Sequence, residues 1–545
     1  MRLPVRVKYI YLLGGITMRK FLLAVLAVMA MASLSSAGTK ELVFNLGADP
    51  KTIDPALNNT VDGCDVDVNI FDGLLRLDFN DKPEPACAES WEISEDGLTW
   101  TFHLRENLKW SDGKPLTAQH FKDGFIRALD PETGSPYAYY AFFIKNGESF
   151  YNAKASREDV GLSAPDDRTL VIQLEAQNPL MLDYLSFPLF VPVRMDIVSD
   201  NPRGWAAHPE TLISNGAFML ESWKHGEGGE MILVKNPNYW DADNVKAERL
   251  RFVFITDENT AYAAFRAGRI DYMSSVPSRM LPMLLKTGAA KTVPVLGTAF
   301  CDFNMKRKPF DDVRVRKAFA LAIDRRVMVD KILLGGQLPA SGIICGAIPG
   351  TTDAQDFRTE GGAFLPERAD VEEARRLLAE AGYPEGKGFP KVSYKYNSNS
   401  GNKQIAEALQ GMWKQVLGVD VELLNEEWKV FIETRNKMEY DIARDAWLFD
   451  FVDAMSILEE FMSTSPQNKT GYVNPEFDEA MKKAAYEMDR VKRTNYLHEA
   501  EKILMEDMPC APIYFYTGIE MQSKRVKNIH KTALGWVMFR DAEVM

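Results

Sequence analysis

Two adjacent acidic pairs, Glu426-Glu427 and Glu459-Glu460, are the first candidates for chemistry in this chain. A hydrolase can use two carboxylates as acid and base, but they must face each other across a cleft at a fixed separation. Neighbours in sequence more commonly lie on a solvated helix face, which is the expectation here. Asp65-Val66-Asp67-Val68-Asn69 has the spaced oxygen donors that open a calcium loop. Its sixth position is Ile70, where the turn needs glycine, and its twelfth is Arg76, where a bidentate carboxylate closes the site. No calcium is expected. Gly382 to Lys387 faintly resembles a phosphate-cradling loop, but its spacing is short and Gly388 replaces the hydroxyl residue, so it reads as a turn. His103, His120, His208, His225, His498 and His530 are scattered without metal-ligand spacing. The G-x-S-x-G, H-E-x-x-H and G-x-x-x-x-G-K-[ST] patterns are absent. No catalytic residue, metal or cofactor is expected, and the chain does not read as an enzyme. Cys64, Cys87, Cys301, Cys345 and Cys510 are odd in number and lack C-x-x-C spacing. They read as small buried residues, with one unassigned disulfide left open.

The elements that would position any site alternate between strand and helix, which predicts an α/β fold. The chain has 545 residues, 46% hydrophobic and 26% charged, an ordinary globular composition with room for about three domains. Thr99–Leu104 alternates as a strand and is followed by a turn at Ser111-Asp112-Gly113. Arg251–Ile255 and Pro512–Tyr516 are further short strands. Asp370 is placed to cap a helix over Val371–Ala381, with Gly382 in a left-handed cap and Pro384 ending it. Asp312 similarly precedes a helix over Val313–Leu334, in which Val315, Phe319, Ala322 and Ile323 share one face. Ile405–Leu417 is another helix, and Pro475–Met508 holds one or two more.

Arg19 and Lys20 precede the apolar run Phe21–Met31, and Ser35-Ser36-Ala37 offers a cleavage site before Gly38. This is the pattern of an export signal over residues 1–37. Met18 directly precedes it, an alternative start that would place residues 1–17 outside the protein. No cysteine stands at the cleavage site, so no lipid anchor is expected. Later stretches fall short of the ~18 apolar residues of a membrane span, and a soluble periplasmic protein is the expectation. Residues 1–37 carry five basic side chains and no acidic ones, so their removal takes the net charge from -13 to about -18. Such a chain is repelled by nucleic acid and anionic membranes, and neither is expected as a partner.

Four stretches carry a resemblance. They are Trp100 to Thr117 (WTFHLRENLKWSDGKPLT), Asn236 to Trp240 (NPNYW), Phe310 to Arg325 (FDDVRVRKAFALAIDR) and Leu377 to Pro384 (LLAEAGYP). In this order, within a match running from about Glu41 to the C-terminus, they resemble the oligopeptide- and dipeptide-binding proteins of bacterial ABC importers, the family 5 extracellular solute-binding proteins. The resemblance implies a two-lobed periplasmic-binding-protein type II fold, α/β, with an additional inserted domain. It implies a monomeric subunit that captures short peptides in an interdomain cleft and delivers them to the permease transmembrane subunits. Domain I would comprise residues 38–71, 191–296 and 512–545, domain II residues 72–190 and domain III residues 297–511, with hinge crossings near Leu296 and Ala511.

On the same resemblance, Asp450 pairs with the ligand's α-ammonium and Arg444 lies near its backbone and C-terminal side. Ala446, Trp447 and Leu448 belong to a strand that pairs with the peptide, and Asn59, Thr60 and Val61 face it. Trp428 and Trp447 line side-chain pockets, and Tyr137 contacts the peptide from the other lobe. Asn402 and Leu333 stand where enteric relatives have a histidine and a lysine that meet carboxylates of peptides of different length. Gly297 and Leu448 stand where those relatives have a disulfide pair. Peptide length is thus left open, and a non-peptide solute such as an oligosaccharide or a metal complex is the alternative. Solvent exposure of Asp450 and Arg444, together with a cleft dominated by aromatic residues, would favour the sugar.

Overall fold

The computed structural model describes residues 40–545 except Asp353; the export signal and alternative start lie outside them. Thr99–Leu104 forms the strand that its alternation predicts, burying Phe102 and Leu104. It belongs to a four-stranded antiparallel sheet ordered Ala88–Ile93, Thr99–Leu104, Thr169–Gln173, Leu162–Asp166. Helix Ala118–Leu129 packs on this sheet through a face that buries Phe121 and Phe125.

The principal sheet has eleven strands. Two of them, Lys291–Phe303 and Cys510–Gln522, are 13 residues long and pair antiparallel. At one end Lys291–Pro294 pairs with Thr517–Glu520. There the sheet continues from Cys510–Gln522 through Tyr272–Met273, Glu41–Asn45, Arg249–Val253, Glu230–Lys235 and Phe218–Lys224. At the other end Thr298–Asp302 pairs with Cys510–Phe515. There it continues from Lys291–Phe303 through Ile442–Leu448, Val392–Asn397 and Val421–Glu426. Between the two halves the register jumps from Pro294 opposite Thr517 to Thr298 opposite Phe515, so Val295, Leu296 and Gly297 oppose Tyr516 alone. Extra residues on one strand bend and twist it locally.

Most capping signals act as read. Asp370 accepts from the Glu373 amide at 3.1 Å, the helix runs Val371–Glu380, and Gly382 has φ +97°. The helix after Asp312 is shorter than its pattern: it ends at Leu321, and Asp324 caps a new turn by accepting from Val327 N at 2.8 Å. Val315, Phe319, Ala322 and Ile323 are nevertheless all buried. The strand expected over Arg251–Ile255 is shifted to Arg249–Val253. The Asn45 side chain bonds both N and O of Ile255, at 3.2 Å each, and so replaces the ladder there.

Glu459 and Glu460 depart from the solvated face expected of them, being 7% and 2% exposed. Tyr184 Oη donates to Glu459 Oε1 at 2.9 Å, and burial pushes this carboxyl up to about 8. All five cysteines are buried and unpaired. Among the described residues no helix is long and apolar enough to cross a membrane.

One buried ion pair fixes the approach of the N-terminal chain to the sheets. Arg127 donates to both carboxylate oxygens of Asp54 at 2.6 Å, and Trp205 Nε1 adds a third bond at 2.9 Å. Arg127→Met would strand the carboxylate in the interior, a change worth ~3–5 kcal/mol. A corresponding loss of unfolding free energy in urea titrations is expected.

Candidate functional site

Three pieces of chain converge between the halves of the principal sheet. The first is the strand Ile442–Leu448. One edge pairs residue for residue with Gly297–Phe303. On the other edge only Ile442 and Ala443 are paired, with Tyr394 and Lys395. The backbone from Arg444 to Leu448 therefore presents an edge with no strand beside it, on which the Ala446 amide donates to Asp445 Oδ1 at 2.7 Å. Gly297 and Leu448 lie directly opposite each other in this ladder.

The second piece is the helix Trp428–Asn436, which starts there because the Glu427 carboxylate accepts from Lys429 N at 2.8 Å and Val430 N at 3.4 Å. Trp428, Ile432, Arg435 and Asn436 follow at i, i+4, i+7 and i+8, one helix face, and all four line a common cavity. The third piece is Asn59–Val61. The buried Asn58 carbonyl accepts from the Thr60 amide at 3.0 Å and hydroxyl at 3.2 Å, immediately before helix Val61–Ile70 begins. Gly63 permits this close turn, since a Cβ there would lie 2.2 Å from Asn58 Oδ1.

The cavity has a volume of about 320 Å³. It shares Asn59, Asn436 and Lys469 with a neighbouring cavity of about 520 Å³. Of the residues read from sequence, Asn59, Thr60, Val61, Trp428, Arg444, Ala446, Trp447 and Leu448 stand on its wall. Asp450, Tyr137 and Asn402 are not on this wall, and Asp450 lines a separate small cavity with Asp183 and Trp536. Tyr137 packs edge-on against Trp447 at 6.2 Å. Asn402 Nδ2 donates to Asn397 Oδ1 at 2.9 Å, and Asn397 is on the wall. Asp450 accepts from Tyr140 Oη at 2.7 Å, and its own amide donates to Ser456 Oγ at 2.7 Å.

The electrostatics of the site are unbalanced. Arg444 donates to Tyr516 Oη at 3.3 Å, and Tyr394 and Tyr514 also surround it. Among the described residues no carboxylate pairs with it. Burial pushes the Asp450 carboxyl up to about 7, partly opposed by the hydroxyls of Tyr140 and Tyr137; no cation among the described residues pairs with it either. Buried polar groups are normally bonded. Yet Nε1 of Trp428 and of Trp447, Nε2 of Gln467, Nε of Arg435 and Oδ2 of Asp62 have no partner, and all five residues line this one cavity. Asn59 Nδ2 reaches Gln467 Oε1 across it at 3.4 Å, and beside it Lys429 Nζ meets Asp49 Oδ2 at 2.7 Å and Lys51 pairs with Glu433.

A half-open cavity with polar and apolar walls and several unbonded polar groups, between two sheet halves that share two long strands, is the construction of a solute-binding protein. The chain belongs to the bacterial extracellular solute-binding proteins, family 5, whose middle region matches residues 82–469. It is a binding protein and not an enzyme. It is 36% identical to the oligopeptide-binding protein OppA of Bacillus subtilis over 93% of each chain. The crystal structure of Haemophilus influenzae OppA in complex with RPPGFSPFR matches with a TM-score of 0.86 at 31% identity, covering 93% of this chain and 99% of that one. The Escherichia coli murein tripeptide binding protein MppA, 33% identical, matches with a TM-score of 0.84 over 92% of this chain and 98% of that one. The unliganded open form of MppA matches at only 0.60, over 93% and 98%, so the present arrangement of lobes is not that open one.

Sequence reading missed several wall residues. Arg435 was recoverable from its i+7 spacing to Trp428. Tyr140, the donor to Asp450, lies three residues beyond Tyr137 in the turn Ala138–Ala141, where i and i+3 eclipse. Gln467 and Lys469 come from an irregular loop and carried no pattern.

The raised Asp450 sets a pH signature. The folded state holds this proton up to about pH 7, whereas an unfolded aspartate loses it near pH ~3.9. Stability contributed by this group is therefore complete below ~3.9 and falls as pH rises towards 7. Asp450→Asn is expected to stabilise the ligand-free protein at pH 8 relative to wild type, with the difference vanishing by pH 4. Urea unfolding of both proteins at the two pH values reads this directly.

Proposed function

We propose that the chain captures short peptides in this cleft and delivers them to the transmembrane subunits of an ABC importer. The observation that carries the reading is the open edge of Arg444–Leu448, facing Asn59–Val61 across the cavity. A peptide entering there adds as a strand, so its main chain supplies affinity whatever its side chains are. Unsatisfied donors on both tryptophans and Gln467 suit a ligand rich in carbonyl groups. Asp450 would receive the α-ammonium, a cation that its buried carboxylate lacks, and Arg444 would meet a carboxylate towards the other end. The burial of Asp450 argues against a sugar. The names of the relatives agree: OppA binds oligopeptides, and MppA a murein tripeptide.

Closure of two lobes around the ligand is the proposed mechanism, peptide contacts to both sides favouring the closed state. Domain I would be 38–71, 191–296 and 512–545, domain II 72–190 and domain III 297–511. The crossings would bend at Leu296 and, on the return strand, at Tyr516, five residues beyond Ala511. Export by residues 1–37 would deliver a monomer without lipid anchor to the periplasm.

Native mass spectrometry of protein purified without denaturation, with sequencing of the released ligand, tests the reading. Mixed peptides are expected, since backbone pairing is indifferent to side chains; a single non-peptide mass would overturn it. Asp450→Asn should weaken peptide binding at least about tenfold, since breaking a buried charge pair costs several kcal/mol. An unchanged Kd by calorimetry would remove Asp450 from the site.

A further inference from the structure

A carboxylate in the first turn of a helix usually needs no explanation, because the helix dipole favours it. Asp62, second residue of Val61–Ile70, is different. Its Oδ2 is buried without a partner on the wall of the ligand cavity. Among the described residues, no lysine, arginine or histidine pairs with it. The charged neighbour that acts on it is a second acid, Asp49. Asp49 is itself satisfied, by Lys429 at 2.7 Å, the Trp223 indole at 2.8 Å and Gly226 N at 3.0 Å. The other acid on the wall, Asp445, is bonded to Arg435. Asp62 alone brings an uncompensated carboxylate to the cavity.

Its surroundings define what would compensate it. Burial pushes Asp62 up to about 6, with the Thr60 hydroxyl and the Trp428 indole opposing, so at neutral pH it is mostly ionised. Trp428 lines the same cavity. An indole beside a carboxylate suits a long side chain with a cationic head: the apolar stem lies on the ring and the head reaches the oxygen. A neutral side chain would leave the charge unpaired, and an acidic one would add a like charge.

We propose that Asp62 and Trp428 form a side-chain pocket that selects peptides carrying a primary ammonium or guanidinium on a side chain. The inference rests on the peptide reading of the cleft. It is separate from the α-ammonium role of Asp450, which is not on this wall.

The test uses tri-alanine, its three single-lysine isomers, and the same isomers with norleucine, titrated calorimetrically into wild type, Asp62→Asn and Asp62→Glu. In wild type one lysine isomer should bind at least about tenfold tighter than its norleucine counterpart, a difference of about 1.4 kcal/mol. Asp62→Asn should reduce that ratio to near one without weakening tri-alanine binding, and Asp62→Glu should keep a lysine preference. Absence of a lysine preference in wild type, which needs no variant to fold, would overturn the pocket alone. So would a ratio unchanged in Asp62→Asn, or an equal loss for every peptide, which would mark a role towards the main chain. Failure of wild type to bind any of the peptides would overturn the peptide reading and the pocket with it.

Discussion

Everything in the cleft depends on the pairing of Lys291–Phe303 with Cys510–Gln522. These are the strands through which the halves of the principal sheet are continuous, and the ladder breaks at Val295–Gly297 opposite Tyr516. A break in hydrogen bonding within an otherwise regular ladder concentrates bending at one place. Tyr516 also lines the cavity and accepts from Arg444. The bend and the ligand wall therefore share a side chain. Rotation about the proposed hinge would be felt at the Arg444 guanidinium on the cavity wall.

The open edge of Arg444–Leu448 follows from the same sheet. Its parallel neighbour Val392–Asn397 pairs with it at only two positions and then turns away to pair with Val421–Glu426 along its length. An exposed strand edge is ordinarily a liability that proteins cover or charge. Here it faces chain from the other half of the molecule, Asn59–Val61, across the cavity. Aggregation is thereby avoided without removing the edge.

Much of this was legible in the sequence because it is local. Asp370 with Gly382, and the alternation of Thr99–Leu104, depend on neighbours within one element, and both appear in the structure as read. The errors came where a distant residue competes. Asn45 ends the strand at Val253 from 208 positions away in sequence, and Tyr184 makes a buried acid of Glu459. The cleft segments were found through a resemblance spread over the chain, and eight of the residues it indicated reach one cavity. Asp62 and Gln467 escaped notice because nothing in their local pattern distinguishes a solvated polar residue from one turned towards a ligand. That difference exists only once the chain from the other half arrives.

The charge pattern explains why closure and binding should be one event. In the present arrangement Asp450 and Asp62 are buried carboxylates whose protons are held well above the usual range, and Arg444 is a cation among tyrosines. Each imposes a desolvation cost on closing that no protein partner among the described residues offsets. Separating the two sides would rehydrate them; a ligand carrying ammonium and carboxylate groups would neutralise them in place. Its differential affinity for the closed state therefore includes the relief of this cost as well as its own contacts. Apolar walls would close with or without a ligand, whereas unpaired charges make closure conditional on one.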